Sequence, residues 1–107
     1  MTVDSDCYAV IFTSRLNNDA QGYEAMAARM VELARAMPGF LGMESARGAD
    51  GAGITISWWE SLEDIALWKA HPEHREAQEL GRRQWYESYR VQICKVLRDG
   101  PRRPPEA

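Results

Sequence analysis

Aromatic rings and one histidine are the side chains of this sequence best suited to chemistry on a small molecule. Tryptophan and tyrosine present flat apolar faces on which a flat ligand can pack. His74 is a candidate proton acceptor, because imidazole titrates near neutral pH. Arg83 and Arg90 are candidates to stabilise an anionic oxygen. The rings that we expect to line a pocket are Trp58, Trp68, Trp85 and Tyr86.

Motifs of several other enzyme classes are missing from the sequence. The glycine-rich segment 48–53 is not followed by GK[ST], so we expect it to be a hairpin turn and not a phosphate loop. No Ser-His-Asp pattern or nucleophile elbow is present. Cys7 and Cys94 lie far apart and do not combine with His71 and His74 into a metal-type spacing, so we predict no metal site.

Length, charge and the N-terminal segment restrict the class of protein further. The 107 residues suffice for one domain, and a net charge of −3 argues against a nucleic-acid partner. No apolar run is long enough to cross a membrane, so no membrane partner is expected. Residues 1–6 carry acids where a signal peptide carries bases, which predicts a cytoplasmic protein with reduced cysteines.

The apolar pattern predicts the elements that must position these side chains. Runs rich in β-branched and aromatic residues predict strands over residues 7–13, 40–47, 54–60 and 86–97. On the third strand, Trp58 and Trp59 are adjacent and must face opposite sides. Apolar residues at spacings of three and four predict an amphipathic helix over 20–37, which Pro38-Gly39 ends.

A second helical region is predicted between the third and fourth strands. Residues 61–64 match a capping box, and His71-Pro72 suits the end of one helix and the first turn of the next. In that further helix, residues spaced by three and four share one face, and these are His74, Ala77, Gln78, Gly81 and Trp85.

The order β-α-β-β-α-β predicts an α+β protein of the ferredoxin-like class, an antiparallel sheet with helices on one face. We expect residues 7–98 to form the domain, with tails at 1–6 and 99–107. The first strand is apolar on both faces, and the third and fourth carry large apolar groups on the face without helices. Because this face would otherwise be wet, we predict a homodimer that packs sheet against sheet.

Several segments together resemble the antibiotic biosynthesis monooxygenase family over residues 7–98. These are the PGF-x-G segment at 38–42, the WES segment at 59–61, the helical Trp68, the run 74–78 and the pair at 85–86. The resemblance implies a dimeric α+β barrel. It also implies one of several activities, because some members oxidise phenolic polyketides to quinones without a cofactor and others degrade haem.

The haem-degrading branch can be compared residue by residue. The resemblance retains its tryptophan as Trp68, but places Ser14 where that branch has asparagine and Gln78 where it has the histidine that binds iron. An amide is not an ordinary axial ligand of haem. His74 lies one turn earlier on the same face, which leaves haem possible but disfavoured.

The function that we predict is a cofactor-independent monooxygenase, which oxidises a small phenol-like or hydroquinone-like aromatic with O₂. Trp68 and His74 are the predicted catalytic residues, and the predicted substrate-binding residues are Trp58, Gln78, Arg83, Trp85 and Tyr86. Two alternatives stay open: a haem-binding or haem-degrading monooxygenase, and a non-catalytic dimer that binds a small molecule. Core packing would explain Trp68 without any function, and helix capping or exposure would explain His74.

Overall fold

A computed structural model describes residues 7–100, which form one four-stranded sheet with helices. The strands are β1 (Cys7–Leu16), β2 (Phe40–Arg47), β3 (Ala52–Trp59) and β4 (Tyr86–Val96). Their order in the sheet is β2-β3-β1-β4, and every neighbouring pair is antiparallel. The predicted α+β, ferredoxin-like fold is therefore confirmed.

The helices are α1 (Tyr23–Arg35), α2 (Leu62–Ala70) and α3 (Pro72–Leu80). α1 begins later than the predicted residue 20, because Gly22 has a φ of 85° that the helix cannot continue through. Side chains start the other two helices as expected. The Ser61 hydroxyl accepts a hydrogen bond from the Asp64 N–H, and His71 Nδ1 accepts one from the Glu73 N–H.

A π-helical turn, Gly81–Trp85, follows α3 and corrects the predicted continuous helix. The α-helical spacing ends at Leu80, so Trp85 does not extend the face of His74 in a straight line. Two contacts hold the turn: Trp85 Nε1 donates to the Gln21 carbonyl at 2.9 Å, and the Trp85 carbonyl accepts from the Asn17 N–H at 2.8 Å. Such turns widen the helix locally, which redirects the chain into β4.

The sheet has one covered side, here called the helix face, and one side without helices, here called the open face. Strand alternation places Thr55, Ser57 and Trp59 on one side of β3, as predicted, and that side is the helix face. Trp59 has no exposed surface and packs in the core with Ala34, Ile65 and Trp68. The core therefore lies between the β3 region of the sheet and the helices.

Two further expectations concern the tails of the chain and a membrane-spanning helix. The predicted tail 1–6 lies outside the described residues, as does all of the predicted tail 99–107 beyond residue 100. Within residues 7–100, no helix combines the length and apolar character that a membrane span requires.

Candidate active site

Three flat side chains stack in sequence from the core towards the helix surface. The rings of Trp59 and Trp68 are stacked with centroids 6.3 Å apart, and the rings of Trp68 and His74 with centroids 4.2 Å apart at 11°. Trp68 lies on α2 and His74 in the first turn of α3, so the short connection through His71 brings them together. The two residues predicted to be catalytic are therefore in direct contact.

The protonation state of His74 follows from its hydrogen bond and its burial. Nδ1 lies 2.9 Å from the Trp68 carbonyl oxygen. Because a carbonyl only accepts, Nδ1 carries the proton and Nε2 is the acceptor in the neutral ring. Burial lowers the pKa of His74 below its ordinary value, and the bond to the Trp68 carbonyl only partly opposes this. His74 is thus held neutral with one free lone pair, as a general base must be.

Trp58 lies on the open face, away from this stack. Its cross-strand partners, Ala9 and Gly42, share that face, whereas Trp59 points to the helices. The expectation that Trp58 lines a pocket between sheet and helices is therefore wrong in position, because the alternation places its neighbour there instead. Arg90 pairs with Thr13 and also lies on the open face.

Trp85 and Tyr86 belong to a second aromatic cluster, at the opposite end of the helix face. Tyr23 contacts both edge to face, with centroids 5.6 Å from Trp85 and 5.9 Å from Tyr86. Phe12 lies 5.3 Å from Tyr86 and 6.1 Å from Tyr89 by the same measure. Sequence reasoning had selected only Trp85 and Tyr86; the remaining rings come from β1, α1 and β4.

An apolar strip of the sheet runs between the end of the helix face near Trp59 and the end that holds the second aromatic cluster. Tyr8, beside Trp59, and Ser14, at the level of Tyr89, are six residues apart on β1, which corresponds to about 20 Å along an extended strand. On the neighbouring strand β4, the helix-face side chains Tyr89, Val91 and Ile93 are 47–50% exposed. We call these three, with Val10 and Phe12 of β1, the β1–β4 strip. It offers an apolar surface on which a flat ligand can lie.

Arg47 joins the second cluster, although no sequence pattern had singled it out. Its guanidinium crosses over Gly53 on β3 and reaches Ser14 on β1, where one terminal nitrogen donates to the Ser14 hydroxyl at 2.8 Å and to the Tyr23 hydroxyl at 3.2 Å. The other terminal nitrogen donates to the Gly51 carbonyl. Its charge also lies over the Tyr23 ring, 5.3 Å from the centroid.

Two predicted binding residues lie outside both clusters. Gln78 is exposed and borders a polar surface cleft with Arg75, Glu79 and Arg82. Arg83 is exposed on the π-helical turn. Within the described part of the chain, no three His, Cys, Asp or Glu side chains come together as a metal site would require.

Solved structures share this architecture. The chain superposes on a mutant form of SnoaB, a cofactor-independent oxygenase from Streptomyces nogalater, with a TM-score of 0.78 over 92% of this chain and 100% of that one, at 15% identity. It superposes on a putative antibiotic biosynthesis monooxygenase from Nitrosomonas europaea with a TM-score of 0.76, over 91% and 96% of the chains, at 13% identity. Similarity at this level of identity concerns the fold.

Sequence comparison is more specific. The chain is 52% identical over 97 residues to the uncharacterised protein YqjZ of Bacillus subtilis (strain 168). This alignment covers 91% of this chain and 85% of YqjZ. The family model for antibiotic biosynthesis monooxygenase matches residues 8–80, well over half of the chain and inclusive of the Trp59–Trp68–His74 stack. The chain belongs to the antibiotic biosynthesis monooxygenase family.

Proposed function

We propose that the protein is a cofactor-independent monooxygenase, which oxidises a flat, phenol-like aromatic with O₂ on the helix face of the sheet. The observation that carries the proposal is the pairing of His74 with Trp68. A neutral imidazole with a defined acceptor nitrogen lies against the indole of Trp68, and Val10 of the β1–β4 strip packs against the core cluster that contains this indole. This combination supplies a base and an apolar surface for an aromatic ring.

The reaction that fits these groups needs no external reductant. Nε2 of His74 takes the phenolic proton, and the resulting phenolate passes an electron to O₂. The two radicals then join at a ring carbon, and the peroxide O–O bond breaks as that carbon loses its hydrogen. One oxygen atom remains as the new quinone carbonyl and the other leaves as water. The substrate supplies all four electrons, so phenol plus O₂ gives quinone plus water.

The surroundings of His74 suit this chemistry. Trp59 is fully buried behind Trp68, and its indole N–H donates to the Ser57 hydroxyl at 2.9 Å, so this buried ring is left with no unpaired donor. An apolar environment also stabilises the neutral base and shields radical intermediates from water. SnoaB, which shares the fold, is itself described as a cofactor-independent oxygenase.

The proposal includes a homodimer in the cytoplasm as the working unit. The open face carries Ile11, Ile56 and Trp58 in half-buried positions and Ile54 as an exposed one. No helix of the described chain covers these side chains, since all helices lie on the other face. Packing the open faces of two copies together would remove this apolar surface from water.

Oxygen uptake with a panel of anthrols and hydroquinones, in metal-free buffer, tests the activity. We expect the product to carry one labelled oxygen when ¹⁸O₂ is used. His74→Gln should lower the rate by about 100-fold or more, the usual contribution of a general base. The matched control is His71→Asn, which removes the neighbouring imidazole and retains a residue that caps helices well. No uptake across the panel, or equal rates in wild type and His74→Gln, would reject the proposal.

The same proteins test the two alternatives. Haem binding predicts that haemin acquires a shifted Soret band and that His74→Gln abolishes the shift, since Nε2 of His74 offers a free lone pair to iron. A non-catalytic binding protein predicts tryptophan quenching by the anthrols with no oxygen consumption. Uptake without haemin distinguishes the oxygenase from both.

A further inference from the structure

Arg47, Tyr23 and Tyr86 form a polar group at the far end of the β1–β4 strip, distant from His74. We propose that this group binds an anionic oxygen, so that the natural ligand is an elongated aromatic that carries a carboxylate or an ionised phenol at one end. The inference rests on the proposed function for the position of the reacting ring. Binding of the anion depends only on Arg47, Tyr23 and Tyr86 and does not require the oxygenase reaction.

The direction of the hydrogen bonds makes the group a donor site. The Arg47 guanidinium donates to the Tyr23 hydroxyl oxygen at 3.2 Å, so that oxygen is the acceptor and this bond does not use the Tyr23 hydroxyl proton. Bonding to a cation polarises the Tyr23 O–H and makes it a stronger donor. Arg47 therefore acts as a positioning residue, and the phenols are the groups that would contact the ligand.

Tyr86 supplies the second phenol. Its ring lies 5.9 Å from that of Tyr23, and burial, followed by the charge of Tyr23 and a hydrogen bond with it, raises the pKa of Tyr86 well above its ordinary value. The charge of Arg47 lowers the same pKa, but by less than burial and Tyr23 raise it. Tyr86 thus stays protonated at neutral pH, and because the bond between the two phenols uses one hydroxyl proton, the other remains to be donated to an anion.

The charge of Arg47 is the observation that points to an anion. Arg47 is half-buried, yet its bonded partners are hydroxyl and carbonyl oxygens, and no Asp or Glu within residues 7–100 lies at ion-pair distance from it. By contrast, Arg15, which follows Ser14 on β1, contacts Asp50. A partly desolvated cation without a counter-charge favours a negative group nearby.

The place of the group along the strip indicates the shape of the ligand. Phe12 and Tyr89 border the group, and further along β1 the strip reaches Val10, which packs against the core cluster of Trp59 and Trp68. An aromatic body on those side chains would place its anionic end against the two phenols. The distance of about 20 Å between the two ends of the strip favours several fused rings over one.

Anaerobic binding calorimetry separates this inference from the oxygenase proposal, because no turnover is needed. The probes are anthracene-2-carboxylate and anthracene-2-carboxamide, which share shape and differ in charge. We expect the carboxylate to bind at least tenfold more tightly, as charge-assisted hydrogen bonds allow. Arg47→Gln should remove that preference, and Tyr23→Phe and Tyr86→Phe should each reduce it. A second arm compares 2,4-dinitrophenolate with 1,3-dinitrobenzene to test an ionised phenol.

The charge preference is the decisive readout, since a variant with merely loosened structure would weaken both probes alike. Arg15→Gln is the matched control, because it removes a cation that is already paired, at the same end of β1. It should retain the wild-type preference. Equal binding of charged and neutral probes in both arms, no binding of any probe, or a preference that survives Arg47→Gln would overturn the inference.

Discussion

Trp68 holds His74 in two ways at once. Its indole stacks on the imidazole with centroids 4.2 Å apart, and its own backbone carbonyl lies 2.9 Å from Nδ1 of the same ring. The first contact sets the plane of the imidazole, and the second sets which nitrogen bears the proton. One residue therefore fixes both the orientation and the tautomer of the proposed base.

Stability should depend on pH through His74. Burial lowers the pKa of His74 in the folded protein below the ordinary value of 6.5. The unfolded chain therefore takes up this proton at a higher pH than the folded chain. The free energy of unfolding should fall as the pH drops through 6.5, and this contribution should level off below the folded pKa.

Urea denaturation at a series of pH values checks this prediction. His74→Gln lacks the titrating group, so we expect a shallower fall in its stability between neutral pH and the folded pKa of His74. Proton NMR of the His74 ring in the native protein should show a midpoint below 6.5. Equal slopes in both proteins would contradict the assignment of a desolvated, neutral His74.

Trp68 should support the fold as well as the site. It is 7% exposed and packs between Trp59 and His74. Trp68→Ala should lower the free energy of unfolding by about 3–5 kcal/mol, the usual result of removing a large buried ring. The adjacent Leu67 is 54% exposed, and Leu67→Ala should change stability by only about 0.5 kcal/mol. Equal losses in the two variants would show that Trp68 is not a core residue.

We expect the stability of the fold to depend on glycine at position 53, because the Arg47 side chain occupies the space of a Cβ there. A Cβ at Gly53 would lie 2.7 Å from both terminal nitrogens of Arg47, so Gly53→Ala must displace the guanidinium from Ser14 and Tyr23. We expect a loss of about 1–3 kcal/mol from the hydrogen-bonding groups left unpaired. Gly42→Ala is the control, because its Cβ would meet only Trp58, at an ordinary 3.9 Å.

A double-mutant cycle tests the cause of that loss. In an Arg47→Ala background the clash is absent, so Gly53→Ala should then be nearly neutral. The free energies of unfolding of the four proteins, measured in denaturant, give the coupling directly. An undiminished loss from Gly53→Ala in that background would show that Arg47 is not the reason for glycine at this position.

The open face should carry the proposed dimer contact. Trp58→Glu places a charge among apolar side chains of that face, so we expect it to convert a dimer to a monomer in sedimentation velocity at micromolar concentration. Leu67→Glu adds the same charge at an exposed apolar residue of α2, and should leave the dimer intact. A wild-type monomer, or a Trp58→Glu dimer, would argue against this interface.

The elements of the fold could be predicted because their signals are local. Strand alternation and the capping side chains Ser61 and His71 act within a few residues, so their positions were readable from the chain. Which of Trp58 and Trp59 faces the helices was not readable, because both sides of β3 are apolar. That choice depends on how β3 pairs with β1 and on what the helices cover.

The site was only partly predictable, because some of its contacts join residues that are far apart in the sequence. Trp68 and His74 are close in sequence, and their contact follows from two short helices joined at His71. Arg47 reaches Ser14 through the lateral order of three strands and Tyr23 through the position of α1, and no spacing along the chain encodes either contact. The π-helical turn likewise leaves no regular pattern of apolar residues.

The π-helical turn Gly81–Trp85 also makes this end of the chain sensitive to length. A π turn holds roughly one residue more than an α turn. Deleting one residue here would let α3 continue as an ordinary helix and would rotate Trp85 and Tyr86 relative to His74 by about 100°. A change of length in this short segment would therefore move the proposed anion-binding end of the strip and leave His74 and Trp68 in place.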